Sequence, residues 1–137
     1  MTYVLDSSAL LRFLEGDTGG RSRKAGAVES TSRHSRAAIS SVNWGEVIGV
    51  IAKRQGEVAA NSLLTDLAPY KLEIVPVNAE HAHHAAYIKL NLKIPYADSF
   101  AVELASAPDH ILLTADFDFK PAAQTVTLEF LPAKSKG

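Results

Sequence analysis

Short apolar runs alternate along this chain with stretches of helical periodicity, and that alternation sets the expected architecture. Thr2-Tyr3-Val4-Leu5 predicts a strand, ended by Asp6-Ser7-Ser8. Ser7 or Ser8 can cap a helix through Ala9–Leu14, which Gly16-Asp17-Thr18-Gly19-Gly20 stops. Residues 21–34 are basic and mixed and read as a polar helix, and Ala37–Ser40 predicts a second strand. Trp44, Val47, Ile48 and Ile51 recur at helical spacing up to Gln55-Gly56, and a further helix fits Val58–Leu67 before Pro69. Leu72–Val77 reads as a strand. Asn78 is placed to cap a helix over Ala79–Leu92, and Ala97–Ala107 is a shorter one between Pro95 and Pro108. His110–Thr114 has the near-continuous apolar run of a strand covered on both faces, and Val126–Phe130 is the last strand.

Strands alternating with helices predict a three-layer α/β/α domain with a mostly parallel sheet. The chain has 137 residues, which suits one domain over residues 1–132 with a loose tail at 133–137. Hydrophobic residues at 47% and charged residues at 21% argue against disorder. Fourteen Lys and Arg against fifteen Asp and Glu give a net charge of -1, which excludes a uniformly basic nucleic-acid binder. Any contact with nucleic acid must come from a local patch. Cysteine is absent, which excludes disulfides, thiolate metal sites and a thiol nucleophile, and suits a reducing compartment. The longest stretch free of Asp, Glu, Lys and Arg is Ala37–Gly45, nine residues, against the ~20 that a membrane span needs. No signal-peptide pattern opens the chain, so a cytoplasmic location is expected. No phosphate-binding glycine motif occurs, which disfavours a P-loop or dinucleotide enzyme.

In sheets of this class, ligands bind in the crevice at the carboxyl ends of the strands. Four acids fall there or on helices able to bring them there. Asp6 ends the first strand, Asp116 follows the strand ending at Thr114, Asp98 opens a helix after Pro95-Tyr96-Ala97, and Glu46 lies near the start of the Trp44–Ile51 helix. Each taken singly is more often a cap or a turn residue than a catalyst. Their joint placement carries the functional reading. Convergent carboxylates repel one another, and a hard divalent cation relieves the repulsion. Mg²⁺ takes oxygen ligands, keeps several waters and binds one or two protein carboxylates directly. Such a site suits phosphodiester hydrolysis.

These residues have a familiar order. Val4-Leu5-Asp6-Ser7-Ser8-Ala9-Leu10-Leu11, Ser40-Ser41-Val42-Asn43-Trp44-Gly45-Glu46-Val47, Tyr96-Ala97-Asp98-Ser99-Phe100-Ala101 and Leu112-Leu113-Thr114-Ala115-Asp116-Phe117-Asp118-Phe119 resemble the motifs of PIN domains. Their spacing is similar to that of VapC toxins of toxin–antitoxin pairs, over nearly the whole chain. The resemblance implies a five-stranded parallel sheet flanked by helices. It also implies a Mg²⁺- or Mn²⁺-dependent endoribonuclease, usually a homodimer, silenced by an antitoxin protein whose tail covers the site. Asp6, Glu46, Asp98 and Asp116 fall on the family's acidic positions, with Asp6, Asp98 and Asp116 as the metal-binding set. Asp118 is the alternative to Asp116, which is preferred because it is nearer the strand end. Glu46 is assigned to the attacking water, and Ser7 and Thr114 either hydrogen-bond the carboxylates or serve as local caps.

Other features admit two readings. Arg21, Arg23, Lys24, Arg33 and Arg36 form either a phosphate-binding rim or a solvated helix face, with a slight preference for the rim. His81, His83 and His84 suggest a transition-metal site, but incidental histidines on an exposed helix are the commoner case. Trp44 can stack on a base, though packing in the core or at a dimer contact is favoured; the Val58–Leu67 stripe reads first as core, with a dimer or antitoxin contact as the alternative. Two rival functions remain. An inactive domain of the same fold would act as an RNA-binding or interaction scaffold. A phosphate-accepting receiver module would need an acid at the end of a middle strand, and Leu72–Val77 is followed by Asn78 instead.

Overall fold

A computed structural model describes residues 1–15 and 36–132. Five strands form one sheet with every pairing parallel: β1 (Thr2–Leu5), β2 (Arg36–Ser40), β3 (Leu72–Val75), β4 (His110–Thr114) and β5 (Thr127–Phe130), in the order β3-β2-β1-β4-β5. The α-helices between them are α1 (Ser7–Glu15), α2 (Ser41–Gln55), α3 (Glu57–Asn61), α4 (Leu63–Leu67), α5 (Ala79–Leu92) and α6 (Tyr96–Ala105). The expected α/β class and parallel sheet are both present.

Successive strand residues point to opposite faces, and this separates two cores. Leu5, Ala37 and Ile39 pack with Leu10, Val47, Ile51, Leu63 and Leu67 on one side of the sheet. Val4 and Leu112 pack with Ala101, Val102, Ala105, Phe119 and Ala122 on the other. Burial of both faces explains why β4 reads as an unbroken apolar run. Leu5 is in register with Ile39 on one side and Leu113 on the other. Asp6, Ser40 and Thr114 therefore emerge side by side at the carboxyl edge of the sheet.

Several boundaries differ from expectation. Asp6, not Ser7 or Ser8, caps α1: the Ala9 N–H donates to Asp6 Oδ1 at 2.8 Å. Asp caps as well as Ser, and here it comes first in the chain. The run Val58–Leu67 is two short helices, α3 and α4, broken at Ser62, whose hydroxyl lies 2.9 Å from the Ala59 carbonyl oxygen and 3.1 Å from Asp66 Oδ2. A serine that bonds its own backbone competes with helix continuation. Ala60, Leu63 and Leu67 of this stripe enter the core as expected, while Val58 and Leu64 face outward. Residues Phe117–Gln124, without helical periodicity in the sequence, wind as a 3-10 helix capped by Asp116. Gly56 ends α2 as expected, at φ 96°, where a side chain would be strained.

Strand order also revises the case against a receiver module. β3 lies at the edge of the sheet, and the middle strand is β1, which does end in an acid, Asp6. The missing acid after Val77 therefore excludes nothing. The helix expected over residues 21–34, its basic residues Arg21, Arg23, Lys24 and Arg33, the glycine-rich stop at 16–20 and the tail at 133–137 lie outside the described residues. Arg36, the last member of the basic cluster, opens β2 and is exposed. No described helix is long and apolar enough to cross a membrane.

Candidate active site

Asp6 is the centre of the site and its most buried acid, only 2% exposed. Three groups donate to its carboxylate. The Thr114 hydroxyl reaches Oδ2 at 2.6 Å, the Ala9 N–H reaches Oδ1 at 2.8 Å, and the Ser8 hydroxyl lies 2.9 and 2.8 Å from the two oxygens. Ser8 and Thr114 each have one hydrogen, and both are directed at Asp6. A carboxylate has about four lone-pair sites, so three donors leave room for one more partner. The hydroxyl from α1 that serves Asp6 is thus Ser8's, not Ser7's, and Thr114 combines both of its readings, bonding the carboxylate and accepting locally from the loop after β4. Thr114 also accepts from the Asp116 N–H at 3.0 Å, and Ser8 from the Ala115 N–H at 3.0 Å. These bonds lace the ends of β1 and β4 together. Burial pushes Asp6 up to about 6; its hydrogen bonds oppose the rise and Asp116 adds slightly to it.

Asp98 sits in the first turn of α6 and is half-buried. Burial comes first in raising it to about 7, followed by repulsion from Asp6, Glu46, Asp116 and Asp118 in that order. One carboxyl thus feels acids from three other segments: the end of β1, the start of α2 and the loop after β4. The four predicted carboxylates do share one electrostatic neighbourhood. Asp116 acts more strongly on Asp98 than Asp118 does, and it also acts on Asp6. Asp116 has a turn role as well, its Oδ1 accepting from the Asp118 N–H at 2.9 Å. The structural and functional readings of this residue therefore coexist.

Asn43 is a residue that motif reading overlooked. It is fully buried, and its Nδ2 donates to Glu46 Oε1 and to the Ala97 carbonyl oxygen, both at 3.0 Å. One side chain thus ties the exposed Glu46 on α2 to the turn of α6 that carries Asp98. The signal was present in the sequence: residues three apart on a helix are neighbours, and Asn43 precedes Glu46 by three. Asn43→Ala is expected to lower stability by about 1–3 kcal/mol, because it removes two hydrogen bonds, one of them to a carboxylate, made by a fully buried side chain. Glu46 is released in the same step. A denaturant midpoint checks the first effect and the rate of catalysis the second; an unchanged midpoint would sink the assignment.

The other candidates separate from the site. His81 belongs to a capping box on α5: its N–H donates to Asn78 Oδ1 at 2.9 Å, and its Nδ1 accepts from the Asn78 N–H at 3.2 Å. The ring of His83 lies 5.1 Å from that of Tyr87, and His84 Nδ1 stands 4.0 Å from Glu103 Oε2. The three histidines are thus held by helix contacts, in keeping with the incidental reading. Trp44 packs against the core. Among the described residues, no group of three or more His, Asp or Glu side chains is disposed, as it stands, to hold a metal ion. Mg²⁺ needs less, because it keeps its waters and takes one or two carboxylates. The donor chemistry fits such an ion: the crowded groups offer only oxygen, and a cation would offset both the burial and the mutual repulsion that raise Asp6 and Asp98.

Residues 3–124 match the PIN domain family. The chain belongs to that family, and the receiver alternative falls with this assignment. Its fold is shared with solved toxin–antitoxin structures. VapBC2 from Rickettsia felis, bound to a DNA fragment from its promoter, superposes with a TM-score of 0.75 at 21% identity, over 95% of this chain and 98% of that one. VapBC-1 from nontypeable Haemophilus influenzae gives 0.70 at 16% identity, over 95% and 98%. Mycobacterium tuberculosis VapC20, a toxin that cleaves the sarcin-ricin loop, gives 0.67 at 17% identity, over 90% and 96%. Comparison of the sequence with curated proteins finds no match.

Proposed function

We propose that this chain is a VapC-type toxin, an endoribonuclease that hydrolyses RNA phosphodiester bonds at Asp6, Glu46, Asp98 and Asp116 with Mg²⁺ or Mn²⁺. The observation that carries this reading is the convergence of acids from the end of β1, the start of α2 and the loop after β4 on the half-buried carboxyl of Asp98. Evolution tolerates such crowding where a bound cation and a polyanionic substrate give it a use. When bound, a divalent ion would neutralise the acids and stabilise charge on the phosphoryl oxygens. Asp6 and Asp98 would hold it, with Asp116 completing the shell. Ser8, Thr114 and the Ala9 N–H keep Asp6 in one orientation. Glu46, with Oε1 fixed by Asn43, keeps Oε2 to orient the attacking water and take its proton as the water oxygen bonds to phosphorus; the bond from phosphorus to the leaving ribose oxygen breaks, and that oxygen is protonated from solvent.

An antitoxin protein is the proposed partner, as in the solved complexes that share the fold. A homodimer is proposed as well, and the outward-facing Val58 and Leu64, 86% and 60% exposed, are apolar side chains suited to such a contact. The test is direct. The purified chain, incubated with a mixed RNA pool and Mn²⁺, is expected to produce discrete fragments, and excess EDTA to stop it. Intact RNA in both arms would instead favour an inactive scaffold. Equal cutting in both arms would remove the metal.

A further inference from the structure

Phe117 lies between two acids of the site, Asp116 and Asp118, yet 57% of it is exposed. Two residues on, Phe119 is buried and anchors the same 3-10 segment in the core. The segment therefore has its apolar anchor without Phe117. The displayed ring has company. Phe130 lies beside it, centroid to centroid 4.9 Å at a tilt of 36°, and Lys120 Nζ stands 5.8 Å from its centroid. Both neighbours follow from local structure. Residues three apart nearly eclipse in a 3-10 helix, which brings Lys120 over Phe117. Phe130 is in register with Thr114, so the last residue of β5 adjoins the strand end that leads to Asp116. An aromatic pair with a cation thus borders the carboxylates on the β5 side of the sheet edge.

This arrangement suits one ligand chemistry. The acids repel the backbone of a nucleic acid, so affinity near them must come from elsewhere. A ring face attracts a base without regard to sequence, and a lysine beside it meets the adjoining phosphate. The ammonium is at the outer limit of its attraction to the ring. A base already paired and stacked in a duplex has no free face to offer. We infer that Phe117, backed by Phe130 and flanked by Lys120, is a stacking platform for an unpaired base next to the scissile phosphate of single-stranded RNA. This inference rests on the nuclease reading above.

The test is steady-state cleavage with Mn²⁺ of a mixed-sequence single-stranded RNA 12-mer, and of the same strand annealed to its complement. Wild type is compared with Phe117→Ala, Phe117→Trp and Lys120→Ala, with thermal unfolding as the check on folding. Phe117→Ala is expected to raise KM about 5- to 150-fold with kcat little changed. Phe117→Trp should stay near wild type, because it restores a face. Lys120→Ala should lower the slope of log KM against log salt by about 0.7, one phosphate contact. The duplex should be the poorer substrate. A wild-type KM in Phe117→Ala, a loss confined to kcat, no rescue by Trp, or equal cutting of the duplex each overturns the platform while the nuclease reading stands. An unchanged KM with altered self-association or altered binding of a partner protein also overturns it, and assigns the ring to a protein contact. If wild type does not cut RNA at all, the nuclease reading falls first and takes the platform with it.

Discussion

Asp98→Asn is expected to lower RNA cleavage by about 10³-fold or more while making the metal-free protein more stable at pH 8. The loss of rate follows from removing one of the two carboxylates assigned to the cation, whose charge stabilisation is worth several kcal/mol, at about 1.4 kcal/mol per tenfold. The gain in stability follows from the sign of the titration. Asp98 titrates at about 7 in the folded chain against 3.8 as a model group, so across that window the native state keeps a proton that the unfolded chain has lost. Stability contributed by this group is therefore whole below about pH 3.8, falls as pH rises, and is fully lost above about pH 7. Asn is neutral throughout and escapes the penalty. Thermal unfolding of the two chains at pH 8 and pH 5, with EDTA present, should show the larger gap at pH 8. A variant as active as wild type, or less stable than it at pH 8, contradicts the assignment. Asp6→Asn should lose activity to a similar degree without the same gain. Asn still caps α1 through Ala9, but an amide facing Thr114 turns an acceptor into a donor, and the Thr114 hydroxyl must rotate to receive it. Glu46→Gln is the milder change, about 10²–10⁴-fold, the usual range for a positioned base.

The three strands at the centre of the sheet were legible because burial on both faces leaves an unmistakable apolar run, as in Ile111-Leu112-Leu113. The acids were legible because strand ends and helix starts are visible as pattern breaks, at Asp6, Asp98 and Asp116. What stayed hidden depends on partners distant in sequence. Strand order is such a property: nothing in Leu72–Val75 says that it lies at the edge, and so the middle strand was misplaced. Ser8 rather than Ser7 serves Asp6 because the first turn of α1 aims only one of two adjacent hydroxyls back at the cap, toward a threonine 106 residues away. Asn43 carries no role in the sequence pattern; its function comes from Ala97, on another helix. The break at Ser62 was open to reading, since serine inside a helical stripe is a known competitor for the backbone, but the stripe's apolar spacing masked it.

Mn²⁺ is expected to flatten the pH dependence of stability. Without metal, Asp6 and Asp98 both titrate above their ordinary range, at about 6 and about 7, so the melting temperature should fall as pH rises from 5 toward 8. The same two groups must lose their protons to bind a cation. Near pH 8 they are ionised and the ion binds; below about pH 7 a proton on Asp98 competes, and affinity should drop about tenfold per pH unit. Below about pH 6 Asp6 competes as well and the drop steepens, the two groups titrating as a coupled pair. At an ion concentration of about 100 times Kd, binding adds about 2.7 kcal/mol. That corresponds to roughly 10 °C in a domain of this size. The melting temperature in Mn²⁺ should therefore fall much less with pH than in EDTA, and the two curves should meet near pH 5. Asp98→Asn should make the EDTA curve shallower and bring the Mn²⁺ curve onto it, since it removes the proton and the ligand together. Scanning fluorimetry from pH 5 to 8.5 in EDTA and in Mn²⁺ distinguishes the cases. An equal metal-induced shift at pH 5.5 and pH 8, or an undiminished shift in Asp98→Asn, would place the cation somewhere other than among these carboxylates.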